Sequence, residues 1–171
     1  DYVYLPFKVA EKDLTGAIEG LRALNIAGIN VTIPHKVAVM SLLDEIDELA
    51  GYIGAVNTIV NQNGILKGYN TDASGFYRVF TANKIAVSRK KIVILGAGGA
   101  ARAIAFILAD KGAEITILNR SLDSAQAISE RIFKTLRTEI KIGELNLKNL
   151  QFSLEEADIV VNATSLGMSP Q

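Results

Sequence analysis

Ile92-Val93-Ile94-Leu95-Gly96-Ala97-Gly98-Gly99-Ala100-Ala101-Arg102 is the stretch that decides the fold. Its four leading apolar residues, three of them β-branched, read as a buried strand. The glycines then read as a tight turn into a helix over 100–109. A dinucleotide site needs that order. Gly96 allows the turn, Gly98 puts no side chain in the way of a close-lying pyrophosphate, and Ala101 lets helix and strand pack closely. The helix N-terminus presents unpaired N–H groups and a partial positive charge to phosphates. Asp110-Lys111-Gly112 ends the helix, with Gly112 as a left-handed cap, and Glu114 to Leu118 forms the next buried strand. A glycine-rich strand–helix turn that binds nothing has the same pattern, so the surrounding sequence must carry the function.

Outward from this turn the chain divides into two segments, 1–87 and 88–171. In the second, Ser121 to Leu136 reads as an amphipathic helix, Ile140 to Ile142 as a short strand, and Asp158 to Ala163 as a fourth apolar strand. The first opens with a strand over Tyr2 to Phe7 and a helix over Asp13 to Leu24, with Asp13 as its N-cap. Ile29 to Ile33 reads as a strand, and Pro34 as the first turn of a helix reaching Leu49. Ala55 to Asn61 and Ile65 to Tyr69 read as strands joined at Asn61-Gln62-Asn63-Gly64, followed by a helix over Ala73 to Asn83. Strands alternating with helices predict parallel sheets covered on both faces. An open sheet that stops at Pro170-Gln171, before a covering helix, is expected to belong to a longer chain.

Composition narrows the chemistry. Eighteen basic and eighteen acidic residues among 171 leave no net charge, which excludes a global attraction for nucleic acid or an anionic membrane. The absence of cysteine excludes disulfides and thiolate chemistry, and a single histidine excludes a histidine metal cluster, so no metal site is expected. With 49% hydrophobic residues the chain can fill a core, and it has no apolar run long enough to span a bilayer. Asp1-Tyr2-Val3-Tyr4 lacks the basic start of a signal peptide. The expectation is a soluble cytoplasmic protein.

The end of the second strand of a dinucleotide fold discriminates between cofactors, because a carboxylate there holds the ribose 2′-hydroxyl and repels a 2′-phosphate. Here it reads Asn119-Arg120-Ser121, with no carboxylate before Asp123. Arg120 offers a planar charged fork to a phosphate, so NADP is favoured, although a solvated arginine at a strand end is the common alternative.

Chemistry is expected from the polar clusters at strand ends of the first segment: Asn30-Val31-Thr32-Ile33-Pro34-His35-Lys36, Ala55-Val56-Asn57-Thr58 and Tyr69-Asn70-Thr71-Asp72. Alternation sends Asn30 and Thr32 to one face and Val31 and Ile33 to the other. Read from the residues alone, Lys36 is equally a solvated lysine after a proline, and Asp72 equally a helix N-cap. Successive helical residues point about 100° apart, so His35 is expected to be structural beside Lys36. Tyr69 faces either the pocket or the core.

These strings, followed in order by Gly96–Arg102, Asn119-Arg120-Ser121 and Asn162-Ala163-Thr164-Ser165-Leu166-Gly167-Met168, resemble the shikimate dehydrogenase family. The resemblance implies two three-layer α/β domains, an N-terminal substrate-binding domain and a Rossmann-like NADP-binding domain. It also implies reduction of 3-dehydroshikimate with NADPH. Lys36 would be the acid/base group and Asp72 its partner; Asn57 would hold substrate hydroxyls, and Asn30 and Thr32 would shape the pocket. Gly96, Ala97, Gly98, Gly99, Ala100 and Ala101, with Asn119, Arg120 and Ser121, would hold NADP; Thr164, Ser165 and Met168 would lie toward the nicotinamide. Quinate is an alternative substrate, a non-catalytic dinucleotide-binding module an alternative class, and a homodimer one compatible assembly. Family members carry a second arginine where this chain has Ser124, which opens NAD use. They also carry an upstream serine motif and a downstream glutamine that this sequence does not include.

Overall fold

The protein is represented by a computed structural model that describes residues 2–167. Met168, assigned above to the nicotinamide side, lies outside the described residues, as do Pro170 and Gln171. In chain order the elements are α1 (Leu14–Ala23), β1 (Gly28–Asn30), β2 (Glu45–Ile46), α2 (Glu48–Ile53), β3 (Thr58–Gln62), β4 (Ile65–Tyr69) and α3 (Asp72–Ala82), then β5 (Lys91–Leu95), α4 (Gly99–Asp110), β6 (Glu114–Asn119), α5 (Leu122–Leu136), β7 (Lys141–Glu144), α6 (Leu147–Glu155) and β8 (Ile159–Asn162).

The second sheet has the order β7-β6-β5-β8, all parallel. Its inner strand β5 is buried from Ile92 to Ile94 because helices and neighbouring strands surround it, which is what its unbroken apolar run requires. Strand order reverses between β5 and β8, so the loops leaving these two strands sit side by side at the place where open α/β sheets bind ligands. Helix α6, between β7 and β8, was not evident from the sequence; its face is mostly exposed and its apolar pattern weak.

The first sheet departs from the parallel expectation. Its order is β1-β3-β4-β2, and both β1–β3 and β3–β4 are antiparallel. For β3–β4 the reason is local. Asn63 and Gly64 both adopt positive φ, 55° and 91°, which is the turn that closes a hairpin and reverses the chain.

Three further expectations are corrected. Tyr2–Phe7 is not a strand: it pairs with no other strand among the described residues and its large side chains are exposed. It is held instead by Tyr4 Oη donating to Asn30 Oδ1 at 3.1 Å and by His35 Nε2 lying 2.9 Å from the Val9 carbonyl. The long helix from Pro34 to Leu49 is replaced by a turn, a 3₁₀ segment Ala38–Leu42 and β2. Asp44 breaks it, because its carboxylate accepts from Arg22 Nη1 at 2.5 Å and from the Leu66 N–H at 2.6 Å, tying the chain to β4 rather than to a helix. Asp13 precedes α1 but makes no side-chain capping bond.

One apolar cluster spans both halves, and a second, within the first half, joins α1 to β3 and β4 through Leu14, Ile18, Leu21, Ile59 and Leu66. Ile53, Ala55, Ala73, Phe80 and Val87 pack in the same buried cluster as β5, β6 and α4. Helix α4 is apolar all round, as a helix buried on several sides must be. Arg102 is its exception: burial holds the guanidinium pKa below its ordinary value and the nearby Arg131 pushes it the same way.

Candidate active site

The site is built where the first sheet meets the glycine turn. Three residues from separate elements converge on one hydrogen-bonded cluster. Lys36 Nζ donates to Asp72 Oδ2 at 2.6 Å, and Asn57 Nδ2 donates to Asp72 Oδ1 at 2.7 Å and to Thr71 Oγ1 at 2.9 Å. The Lys36 side chain is 13% exposed and that of Asp72 30%, so the ammonium is mostly enclosed while its carboxylate partner reaches the opening.

Each of these residues is anchored through its neighbours. The Lys36 carbonyl accepts from the Val56 N–H at 2.8 Å, which fastens the Lys36 turn to the segment carrying Asn57. Lys36 therefore lies in a turn, not in the first turn of a helix, and no helix dipole acts against its charge. The Asn57 amide is oriented by three contacts to Oδ1, from the Thr71 N–H at 2.9 Å, Thr58 Oγ1 at 3.0 Å and Thr71 Oγ1 at 3.3 Å. Those bonds turn Nδ2 toward Asp72.

Asp72 is not the cap of α3. That task falls to Asn70, whose Oδ1 accepts from the Asp72 N–H at 3.1 Å and the Ala73 N–H at 3.3 Å, while its Nδ2 donates to the Ala55 carbonyl at 2.9 Å. Asn70 is 5% exposed. By satisfying the helix start it leaves the Asp72 carboxylate free for Lys36 and Asn57. Sequence reasoning passed over Asn70, although an asparagine two residues before a helical aspartate is a recognisable capping signal.

The remaining pocket residues are less tightly gathered. Asn30 Nδ2 donates to Thr58 Oγ1 at 3.3 Å, which links it to Asn57 through Thr58. Thr32 is exposed, and its carbonyl accepts from the His35 N–H at 2.9 Å. The predicted alternation holds for Val31, which is buried, and fails for Ile33, which is 57% exposed because β1 ends at Asn30. His35 contacts the Val9 carbonyl and takes no part in the cluster's hydrogen bonds, in keeping with a structural role.

The glycine turn closes the other side. Gly96 has φ +102° and a Cβ there would lie 3.0 Å from the Ala163 carbonyl oxygen, so both conformation and the close approach of the loop after β8 demand glycine. Gly98 is different. Its φ is −80°, and a Cβ there would meet no atom within 4 Å. The space beside Gly98, at the N-terminus of a 12-residue helix, fits the pyrophosphate of a dinucleotide. Ala97 and Ala101 are buried beneath the turn. At the end of β6, Arg120 is exposed and Asn119 Nδ2 donates to the Ser121 carbonyl at 2.9 Å, which bends the chain away from the strand. After β8, Asn162 Oδ1 accepts from Thr164 Oγ1 at 2.6 Å and from the Thr164 N–H at 3.0 Å, and Ser165 is exposed.

The two sides touch. A Cβ on Gly99 would lie 3.0 Å from Lys36 Cβ and 3.1 Å from Lys36 Cδ, so the Lys36 stem rests on the first residue of α4.

Comparison with known proteins identifies this arrangement. Residues 1–59 match the family description "Shikimate dehydrogenase substrate binding domain", and residues 80–168 match "Shikimate / quinate 5-dehydrogenase". The chain belongs to the shikimate dehydrogenase family. The shikimate dehydrogenase (NADP(+)) of Alkaliphilus oremlandii is 48% identical over 170 residues, covering 98% of this chain and 59% of the relative. A crystal structure of a shikimate dehydrogenase in complex with NADP+ aligns with TM-score 0.87 at 44% identity, covering 99% of this chain and 58% of that one. The shikimate 5-dehydrogenase from Listeria monocytogenes, solved with shikimate and NAD, aligns with TM-score 0.81 at 37% identity, covering 99% and 61%. This chain thus spans 59% of the length of the first curated relative.

Proposed function

We propose that the protein to which this chain belongs catalyses the reversible NADP-dependent reduction of 3-dehydroshikimate to shikimate, a step of aromatic amino acid biosynthesis, with Lys36 as acid/base group and Asp72 as its partner. The observation that carries the reading is the Lys36–Asp72 pair at 2.6 Å, with the lysine stem resting on the glycine turn. Membership of the family and the NADP named for its relatives support it.

The chemistry follows from the charges. Reduction of the ketone builds negative charge on its oxygen, which an adjacent ammonium stabilises and then protonates; oxidation of shikimate returns that proton to the amine. NADP(H), when bound, supplies or accepts the hydride. Asp72 holds the amine in place, and its two oxygens, each carrying one hydrogen bond from Lys36 or Asn57, keep acceptor capacity for a substrate hydroxyl. Asn57 serves substrate hydroxyls from the same wall, flanked by Asn30 and Thr32.

In this reading residues 1–87 form the substrate-binding part and 88–171 the cofactor-binding part. Gly96 to Ala101 receive the pyrophosphate, Asn119, Arg120 and Ser121 the 2′-phosphate side of NADP, and Thr164, Ser165 and Met168 the nicotinamide side. Quinate is the alternative substrate, and Ser124 leaves room for some use of NAD. A cytoplasmic location belongs to the same reading; no helix among the described residues is long and apolar enough to cross a membrane.

The test is Lys36→Ala in the full-length protein, assayed with shikimate and NADP+. Loss of a positioned acid/base group lowers kcat by about 10²–10⁴-fold with little change in shikimate affinity. An unchanged kcat with a raised KM makes Lys36 a substrate anchor and refutes the role.

A further inference from the structure

Gly98 and Gly99 are adjacent, yet the molecule treats them in opposite ways. At Gly98 a Cβ would meet open space, so no contact within the described residues requires glycine there. At Gly99 the space a Cβ would fill is already taken by Lys36, whose Cβ, Cδ and Cγ lie 3.0, 3.1 and 3.5 Å from it. Gly99 is helical and has no positive φ, so its backbone conformation is open to any residue. The constraint is steric and comes from the other half of the molecule.

We infer that Gly99 is a positioning residue for Lys36: its missing side chain is a socket that seats the lysine stem and aims Nζ at Asp72. The inference rests on the proposed acid/base role of Lys36.

The socket cannot yield cheaply. The two crowded atoms are Lys36 Cβ, which the backbone fixes, and Cδ, which the hydrogen bond from Nζ to Asp72 holds from the far end; Cγ at 3.5 Å is in ordinary contact. The Lys36 backbone is pinned by the Val56 N–H on its carbonyl at 2.8 Å. The first turn of α4 is pinned from below by Ala97 and Ala101, both buried. Adding one methyl group at Gly99 therefore makes Lys36 give by a few tenths of an ångström, which moves Nζ from its 2.6 Å geometry on Asp72. The glycine turn and the acid/base group are thus in direct mechanical contact, so a change in either side's position reaches the other without an intermediary.

Gly99→Ala and Gly98→Ala, made in the full-length protein, test the socket. Kcat and KM are measured with shikimate and NADP+, and the NADPH dissociation constant by fluorescence titration. Misplacing a catalytic group by a fraction of an ångström to 1 Å costs up to about 10²-fold, so Gly99→Ala is expected to lower kcat, measured at saturating NADP+, about 10- to 100-fold, a larger loss than any it causes in NADPH affinity. Gly98→Ala is expected to show its loss in the NADPH dissociation constant instead. In a Lys36→Ala background, Gly99→Ala removes little more from the residual kcat, because no ammonium remains to be displaced.

Overpacking at Gly99 is destabilising, partly offset by alanine's better helix propensity, so Gly99→Ala is expected to melt below Gly98→Ala yet stay folded at the assay temperature. A Gly99→Ala enzyme with near-normal kcat beside an inactive Lys36→Ala overturns the socket alone. So does a Gly99→Ala loss carried wholly by NADPH affinity, or one that persists in full without Lys36. Near-normal turnover by Lys36→Ala overturns the acid/base role on which the inference rests.

Discussion

Asn70→Ala separates the two residues that compete for the start of α3. The Asn70 side chain makes three hydrogen bonds, to the Ala55 carbonyl and from the Asp72 and Ala73 N–H groups, at 2.9, 3.1 and 3.3 Å. Losing an asparagine cap costs about 1 kcal/mol. Leaving the buried Ala55 carbonyl without its donor costs about 1–3 kcal/mol more, because Ala55 is fully enclosed and water has no easy access. The expected loss is therefore about 2–4 kcal/mol. Ala55 and Ala73, which Asn70 bonds, belong to the apolar cluster that spans both halves, so the loss is expected in the main unfolding transition, read by circular dichroism in urea. With an m-value of roughly 2 kcal/mol/M the midpoint falls by about 1–2 M. A loss below about 0.5 kcal/mol, within the range of ordinary surface substitutions, refutes the claim that Asn70 is the brace. It would return the capping role to Asp72 and leave that carboxylate divided between helix and lysine.

Two other outcomes follow from the same geometry. Arg120→Ala removes an exposed guanidinium at the end of β6, and a charge-assisted bond to the 2′-phosphate is worth about 1.5–3 kcal/mol, so NADPH should weaken by about 10- to 100-fold while NADH is little affected. Equal losses for both, measured by fluorescence titration, remove Arg120 from the 2′-phosphate site. Arg137 ends α5 in the left-handed region at φ 57°, where a Cβ is strained by about 1 kcal/mol, so Arg137→Gly should raise Tm by about 2–4 °C. A thermal melt with an unchanged or lower Tm contradicts that strain.

The sequence was most legible where one interaction dominates. Ile92–Leu95 forms a strand because its apolar run has to be buried on both faces, and the expected helix of α4 and strand of β6 fall within a residue or two of their observed limits. It was least legible where distant residues outweigh local preference. Pro34 to Leu49 has an acceptable helical pattern, but Arg22 and the Leu66 N–H capture Asp44 from 22 residues away on either side and draw the chain into a strand. Tyr2 to Phe7 has strand composition and no partner strand among the described residues, and a strand without a ladder has no backbone bonds to hold it.

The candidate site divides in the same way. That Lys36, Asn57, Asp72 and a glycine turn occur in one chain follows from residue order alone, since each type is written in its own short string. That the lysine and aspartate lie 2.6 Å apart and that Gly99 seats the lysine stem required the folded chain. These are contacts between segments tens of residues apart, set by how the two sheets pack against a shared core, and no local pattern encodes a distance across that core.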